Sequence, residues 1–423
     1  MRITSTDYTK PYRPLPVSAL NAVGKILSSA GYKGFDLSVK SLIRAAVKKT
    51  GLSDFGDDKF AYRLGILIDS IEKESRLNFF GRFMVRQSLL GTLTNRLRME
   101  EDFKNHPEIN DIEIKKPVFI AGLQRTGTTM LQRLIASDSD TFRHLPSWEA
   151  LNPAQRRDLI NKDGREPRIG LTETAAKALS FIAPDFYAVH PVDAEGPEED
   201  CILMNYALLS VVPEATQRVP SFSSWLDDQD QFEAYRFHKK MLKYLLWQKN
   251  GMRWILKTPD HMLHLDALFA VYPDAKIIQT HRDPLKTTSS FCSMISHAYG
   301  VFSDQVDVVE IGKHWSEKAL KMVNKTNAAR KLKPDAFIDV YYKDLIKDPI
   351  SEIRRIYKFI DIPLTEKAES GMNNWINKNP QNRYGTHSYS IDSFGMSEAD
   401  IDMLFGDYIS RFKIPLERKN KKN

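Results

Sequence analysis

The chain has 423 residues, and its hydrophobic content of 42% is enough to fill one large core or a core with an added lobe. Its ordinary glycine, proline and charged fractions exclude a fibrous or intrinsically disordered protein. The net charge of +7, from 61 Lys and Arg against 54 Asp and Glu, suits an anionic small substrate, a nucleic acid or a membrane surface about equally. Charge alone therefore selects no function.

Signals for a membrane span or for export are not found in the sequence. No apolar run approaches the ~18 residues of a membrane span. The first residues, MRITSTDYTKPYRPLP, lack the apolar stretch of a signal peptide. The two cysteines, Cys201 and Cys292, are too few for a disulfide framework and do not have metal-ligand spacing. We therefore expect a cytoplasmic protein.

Residues 1–115 show the periodicity of helices. Apolar residues recur at helical spacing in two runs, namely Phe60, Leu64, Leu67, Ile68 and Ile71, and then Leu90, Leu93 and Leu97. This pattern predicts a helical N-terminal lobe. Its role is either packing or a share in binding a substrate, and the sequence leaves both open.

The pattern changes at Pro117. From there, short apolar runs alternate with helical segments: strands at 118–121, 254–257, 276–280 and 337–341, and helices from 127 and at 261–271, 284–297 and 350–360. Strands that alternate with helices predict a parallel β-sheet flanked by helices. Residues 116–423 are therefore predicted to form an α/β domain, which ends in a solvated basic tail, ERKNKKN.

The first predicted strand leads into a phosphate-binding motif, GLQRTGTTMLQRLI, at residues 122–135. Gly122 and Gly127 allow the backbone to approach a phosphate closely, and the free N–H groups of the following helix attract an anion. Arg125 adds a planar positive charge. The other candidate contacts are polar side chains of the same loop, Gln124, Thr126, Thr128 and Thr129. An ordinary surface turn is the alternative interpretation.

This loop departs from the Walker pattern GxxxxGK[ST]. No lysine follows Gly127, and the positive side chain of Arg125 precedes it instead. The geometry of a magnesium-nucleotide site is therefore not expected. A P-loop kinase or NTPase remains the alternative enzyme class.

A second motif, IIQTHRDPLKTTSSF, covers residues 277–291. Arg282 follows a predicted strand, and Ser290 comes eight residues later on the next predicted helix. Two side chains placed in this way can converge on one phosphate. Taken alone, Arg282 is equally compatible with an ordinary surface charge.

Together the two motifs resemble the pair that binds 3′-phosphoadenosine 5′-phosphosulfate (PAPS) in the sulfotransferase superfamily. The loop at 122–135 is similar to the 5′-phosphosulfate loop in the arginine-containing form of tyrosylprotein and carbohydrate sulfotransferases. Arg282 and Ser290 match the residues that hold the 3′-phosphate, and Lys257 matches a lysine at a strand end. Later, YYKDLIKDPISEIRRIYKFI resembles the family's Y-x-D-L…D-P segment, and GLSDFGDDKF near the start resembles the large bacterial branch.

The resemblance implies a P-loop-like α/β sulfotransferase fold and an enzyme that moves the sulfuryl group of PAPS to an acceptor hydroxyl or amine, releasing PAP. It implies that Arg125 and Lys257 stabilise charge at the bridging oxygen, with Thr128 and Thr129 on the 5′-phosphate. Because these side chains supply the positive charge, no metal is expected.

The resemblance also suggests which groups complete the site. Glu149 lies 24 residues after Arg125, near the position of the catalytic glutamate in several branches, and its alternative is an acid at a helix N-terminus. His190 is the rival general base, with acceptor contact or a structural role as its alternatives. Arg383 and Gly385 lie in NRYGTHSYSIDSFGM, which resembles the loop that closes over PAPS and is equally compatible with a surface turn.

The partners stay partly open. A small molecule, a glycan or a lipid could supply the acceptor group, and we expect no nucleic-acid partner, because basic residues are scattered among acids. A non-catalytic nucleotide-binding protein on a sulfotransferase scaffold is the alternative from another class. The sequence predicts no oligomeric state.

Overall fold

The computed structural model describes residues 7–8, 10–32, 34–159, 164–379 and 389–418. The strands in these residues are β1 (Val118–Ile120), β2 (Phe142–Arg143), β3 (Arg253–Lys257), β4 (Lys276–His281) and β5 (Phe337–Tyr341). The helices are α1 (Leu15–Ser29), α2 (Val39–Thr50), α3 (Phe60–Glu74), α4 (Phe79–Asn105), α5 (Thr128–Ala136), α6 (Ser147–Leu151), α7 (Pro167–Ile182), α8 (Pro184–Val189), α9 (Cys201–Asn205), α10 (Val212–Thr216), α11 (Pro220–Asp227), α12 (Gln231–Gln248), α13 (Leu265–Val271), α14 (Pro284–Phe302), α15 (Val308–Leu332), α16 (Tyr342–Lys347), α17 (Pro349–Phe359), α18 (Glu366–Lys378) and α19 (Glu398–Phe412).

Contacts divide the chain into two compact units. The helical unit comprises the described residues within Met1–Glu113, Pro146–Asn250 and Met294–Val306. The sheet unit comprises those within Ile114–Leu145, Gly251–Ser293 and Asp307–Asn423. The boundary that we predict between a helical lobe (1–115) and an α/β domain (116–423) stays a prediction, since compact units and independently folding domains are different things.

The helical unit has a core built from α2, α3, α4, α9 and α11. The apolar residues that predicted α3 are buried on one face of that helix, and they pack against Leu93 and Leu97 of α4 and against Phe222 of α11. The helix α4 begins at an N-cap, Asn78, whose side chain accepts a hydrogen bond of 2.7 Å from the backbone N–H of Gly81.

The sheet unit contains one five-stranded sheet in the order β2-β3-β1-β4-β5, and every described pairing is parallel. The predicted fold class, a parallel sheet with helices, is confirmed. Apolar residues of the central strands pack against α5, α17 and α18, and this core includes Val118, Ile120, Leu131, Ile255, Ile278, Val340 and Ile353.

One predicted helix is divided in the structure. Residues 261–271 form the end of a 3₁₀ turn, Pro259–Leu263, followed by α13. His264, between them, has a φ of −137° and interrupts helical geometry. The helices among the described residues are all too short or too polar to cross a bilayer.

Candidate active site

The phosphate motif connects β1 to α5 and lies against the end of β4. Thr126 is fully buried, and its hydroxyl donates to the carbonyl oxygen of Leu123 over 2.6 Å and lies 2.5 Å from the hydroxyl of Thr280. A methyl group at position 122 would lie 1.9 Å from the Thr280 Oγ1 and 2.9 Å from the Thr280 carbonyl oxygen. The loop therefore requires glycine at this position in order to approach the neighbouring strand.

We expect Gly122→Ala to lower the free energy of unfolding by about 1–3 kcal/mol, because the added methyl group must displace the backbone of β4. Denaturant unfolding measures the change. Gly91→Ala in α4 is the control, since nothing lies within 4 Å of its added methyl group, and it should be neutral or stabilising by up to about 1 kcal/mol. An equal effect of the two substitutions would contradict the close approach.

The loop ends in a backbone geometry that leaves the start of α5 open to an anion. Gly127 is the N-cap, has a φ of +88°, and carries no side chain that could cap the helix. Arg125 also has a positive φ, +67°, which costs a non-glycine residue on the order of 1 kcal/mol. The first N–H groups of the helix, at Thr128 and Thr129, combine with the helix dipole to favour a negative charge. Thr129 is exposed, and Thr128 is buried.

The two sequence motifs meet directly in the sheet unit. The Nε of Arg125 donates to the Oγ of buried Ser290 over 3.1 Å, and the Nη1 of Arg282 donates to the Arg125 carbonyl oxygen over 3.0 Å. Burial lowers the pKa of the Arg125 guanidinium, with the charge of Arg282 adding to this effect and Tyr389 opposing it. The two neighbouring guanidinium groups repel each other, and the lowered pKa of Arg125 reflects burial together with that repulsion. A bound anion would stabilise both positive charges.

Arg282 is held by a carboxylate from the end of the described chain. Its Nε and Nη2 lie 2.7 Å and 2.9 Å from the two carboxylate oxygens of Glu417, and its guanidinium carbon lies 3.9 Å from the ring centre of Tyr342. Burial is the largest single influence and opposes the charge of Arg282, but the hydrogen bonds to Glu417 together with the charges of Glu417 and the neighbouring tyrosines raise its pKa. A two-point pair of this kind is also how arginine binds phosphate.

The strand that precedes Arg282 is fixed by a buried polar network. His281 lies 2.9 Å from the hydroxyl of Tyr408 through Nδ1 and 2.9 Å from the Asp339 carboxylate through Nε2. Arg330 donates two hydrogen bonds to the same carboxylate, of 2.6 Å and 2.9 Å. Although burial opposes its ionisation, these partners lower the pKa of Asp339 to about 2, while burial lowers the pKa of His281. The network therefore holds the end of β4 in place.

Lys257 is the last residue of β3 and is 3% exposed. It is paired with Ile120, the last residue of β1, and β1 is paired with β4 on its other side. Because the carboxyl ends of parallel strands share one edge of a sheet, Lys257, the phosphate loop and Arg282 follow one another along that edge. Gln124, half-buried, belongs to the same loop.

The two candidate bases belong to the helical unit. Glu149 is 2% exposed in the first turn of α6, and His190 follows α8 with its Nε2 at 3.9 Å from the Glu198 carboxylate. The other oxygen of Glu198 accepts a hydrogen bond of 3.1 Å from the hydroxyl of Ser147. The segments that carry the two candidates are thus connected through Glu198. Arg383 and Gly385 lie outside the described residues.

Glu417 and Tyr342 are two residues of the site that the sequence did not predict. Glu417 was expected in a solvated tail, but its backbone N–H donates to Asp283 over 2.7 Å in addition to the pair with Arg282. An isolated acid in a basic segment carries no signal for such a contact. Tyr342 lies in the YYKD segment, which the resemblance did mark, and a methyl group on Gly127 would lie 3.0 Å from its ring.

Comparisons with known proteins agree with one another. The family model described as "Sulfotransferase family" matches residues 117–366. Among curated proteins, the omega-hydroxy-beta-dihydromenaquinone-9 sulfotransferase Stf3 of Mycobacterium tuberculosis is 26% identical over 310 residues, which are 70% of this chain and 74% of that protein.

Two solved structures resemble this chain over most of its length. Sulfotransferase STF1 from Mycobacterium tuberculosis H37Rv is 32% identical with a TM-score of 0.76, and the match covers 87% of this chain and 98% of that one. Sulfotransferase STF9 from Mycobacterium avium is 28% identical with a TM-score of 0.81, and the match covers 91% of this chain and 99% of that one. The fold of the present chain is therefore the fold of these two structures.

Proposed function

The chain belongs to the sulfotransferase family and is an enzyme of PAPS-dependent sulfuryl transfer, and from this premise we propose which of its residues bind PAPS and which act on the acceptor. The observation that supports the proposal is the direct contact between the two motifs, through Arg125, Ser290 and Arg282. This contact joins the phosphate loop to a cationic strand end and a helix hydroxyl 165 positions away in sequence, which supports one anionic ligand shared by both motifs.

We assign the 3′-phosphate of PAPS to Arg282 and Ser290, and the 5′-phosphosulfate to the start of α5. Ser290 supplies a hydroxyl donor, and Arg282 supplies a guanidinium that already holds a carboxylate at two points. The N–H groups and hydroxyls of Thr128 and Thr129 face the 5′-phosphate in this assignment. Gln124 and Arg125 complete the loop around it.

In the reaction, the acceptor oxygen forms a bond to sulfur while the bond from sulfur to the bridging oxygen of PAPS breaks. The bridging electron pair stays on the 5′-phosphate of PAP, where Arg125 and Lys257 stabilise the developing charge. The acceptor's proton passes to Glu149, which follows β2 by six residues along the chain. His190 is the alternative base. Little covalent work is required of the protein, so positioning and charge account for most of the rate.

The acceptor is proposed to be a hydroxyl of a small molecule or a lipid. The name of Stf3 describes transfer to an omega-hydroxylated dihydromenaquinone, and that acceptor is the acceptor of Stf3. For the present chain, incubation with labelled PAPS and fractionated extracts, followed by identification of the sulfated compound, would name the acceptor.

We expect Arg282→Ala to weaken PAP binding by about 10- to 150-fold, because a hydrogen bond to a charged group contributes roughly 1.5–3 kcal/mol. Isothermal titration with PAP measures the loss. Arg354→Ala is the matched control, since Arg354 forms an exposed ion pair with Glu369 in the same unit and should leave PAP binding unchanged. An unaltered dissociation constant for Arg282→Ala would remove the 3′-phosphate assignment.

Glu417→Gln tests the tail contact separately. A neutral amide no longer competes for Arg282, so we expect PAP to bind several-fold more tightly. Weaker binding would mean that Glu417 orients Arg282 for the phosphate and stays in place.

Titration of the wild-type protein with Mg-ATP and with PAP distinguishes the kinase alternative from the proposed enzyme. A kinase would bind Mg-ATP, whereas the proposed enzyme would bind only PAP.

A further inference from the structure

The helix α1 exposes its most apolar side. Leu15 is 86% exposed, Ile26 71% and Val23 52%, and Leu20 and Leu27 are also exposed. At the angular spacing of an α-helix, these residues, together with Ala19 and Ala22, fall within an arc of about 160°. One whole side of the helix is therefore apolar and faces away from its own protein.

The side of α1 that packs on the helical unit is small and partly polar. Its buried residues are Val17, Asn21 and Gly24, and the Asn21 Oδ1 accepts a hydrogen bond of 2.9 Å from the backbone N–H of Phe80. A methyl group on Gly24 would lie 2.2 Å from the Cβ of Phe79, so this orientation is set by close contact. A surface helix normally presents the opposite arrangement, with its apolar side inward. The polarity of α1 is thus inverted, and the inversion is held by specific contacts.

Exposed apolar residues are concentrated at this helix. Of the 17 large hydrophobic residues that are exposed in the described chain, seven lie between Tyr12 and Tyr32. The two tyrosines stand before and after α1, with exposures of 42% and 58%. Tyrosines flanking an apolar stretch are typical of segments at a membrane–water interface.

Cations outnumber carboxylates around α1, where Asp7 pairs with Lys10 at 3.5 Å. Residues 8–35 contain Lys10, Arg13, Lys25 and Lys33 and no Asp or Glu. The helix α2, which packs with α1 on α4, contains four Lys or Arg and no acid. Asp304 lies 3.2 Å from Arg13 and 3.7 Å from Lys25, so a single carboxylate faces these two cations. Anionic lipid headgroups would complement the remaining positive charge.

We propose that α1 is an interfacial helix that docks the enzyme on an anionic membrane surface. The helix has 15 residues, too few to span a bilayer, so it would lie in the headgroup region with Leu15, Val23 and Ile26 inserted. Lys25 and the cations that flank α1 in sequence would then lie near the lipid phosphates. This docking goes beyond the proposed transfer reaction and does not depend on it. It would place the enzyme at the surface where a lipid acceptor is found.

Flotation of the full-length protein with vesicles tests the docking. The probes are phosphatidylcholine vesicles with and without roughly one third phosphatidylglycerol. We expect the wild type to bind the anionic vesicles only, and to bind them more weakly in high salt. Ile26→Glu and Val23→Glu should each lower the fraction bound by at least about tenfold, since each places a charge where an apolar side chain would be buried. Met403→Glu is the control, because Met403 is 83% exposed on α19, and it should bind like the wild type.

Three outcomes would overturn the docking: no binding of the wild type to anionic vesicles, full binding by Ile26→Glu, or a dimer in light scattering that Ile26→Glu converts to monomer. The last outcome would identify the face as an interface between two copies. Unchanged PAP titration and thermal melting of Ile26→Glu establish that the variant is folded. They also separate failure of docking from failure of the proposed function.

Discussion

Glu149→Gln is expected to lower the rate of sulfuryl transfer by about 10²–10⁴-fold while PAP binds as before. The substitution keeps the shape of a side chain that is 2% exposed, but an amide cannot take the acceptor's proton. Single-turnover transfer of label from PAPS to the acceptor measures the rate, and calorimetry with PAP measures donor binding. A loss confined to the rate means that Glu149 acts in the transition state and not in donor binding.

The control for this prediction is His190→Gln. His190 is half-exposed at the end of α8, and we expect this variant to retain most of the rate. If Glu149→Gln turns over nearly normally and His190→Gln is disabled, the base is His190. Ser147, two residues before Glu149, and His190 both contact Glu198, which links the segments of the two candidate bases. The double variant Glu149→Gln/His190→Gln should therefore also be measured, since the losses from coupled residues do not add.

Lys257→Met should lower turnover by about 10²–10³-fold, the usual effect of removing one group that stabilises transition-state charge. The charge on the bridging oxygen develops only as the bond to sulfur breaks, so PAP affinity should fall much less than the rate. The same two assays apply. Lys318→Met is the matched control, because Lys318 is a lysine of similar burial in the same unit, on α15. Equal losses in affinity and rate would assign Lys257 to ground-state binding.

The parts of the site that were predictable lie in local patterns. In all three cases a short strand with a largely apolar centre has a polar residue at its end or directly after it: the loop after β1, Lys257 at the end of β3 and Arg282 after β4. A parallel sheet then brings such strand ends to one edge, which the alternation of strands and helices already indicated. The order of the strands, β2-β3-β1-β4-β5, is a property of the chain's path and has no local signature.

The parts that were not predictable depend on distant or very short segments. Glu417 meets Arg282 across 135 residues, and its neighbours in sequence are mostly basic. The strand β2 has two residues, fewer than any periodic pattern can reveal. The hydroxyl of Thr126 was expected on a phosphate, and in the structure it contacts Leu123 and Thr280, so its assignment as a ligand stays a prediction.

The pair between Glu417 and Arg282 has a consequence for how donor and product would exchange. If the 3′-phosphate takes the place of the Glu417 carboxylate, one anion replaces another on a guanidinium that is mostly sequestered from water. An isolated ion in such surroundings would cost several kcal/mol. With the carboxylate returning as PAP departs, the cation would keep a counter-ion at every stage of turnover, and the product would leave more easily than from an empty cationic cleft.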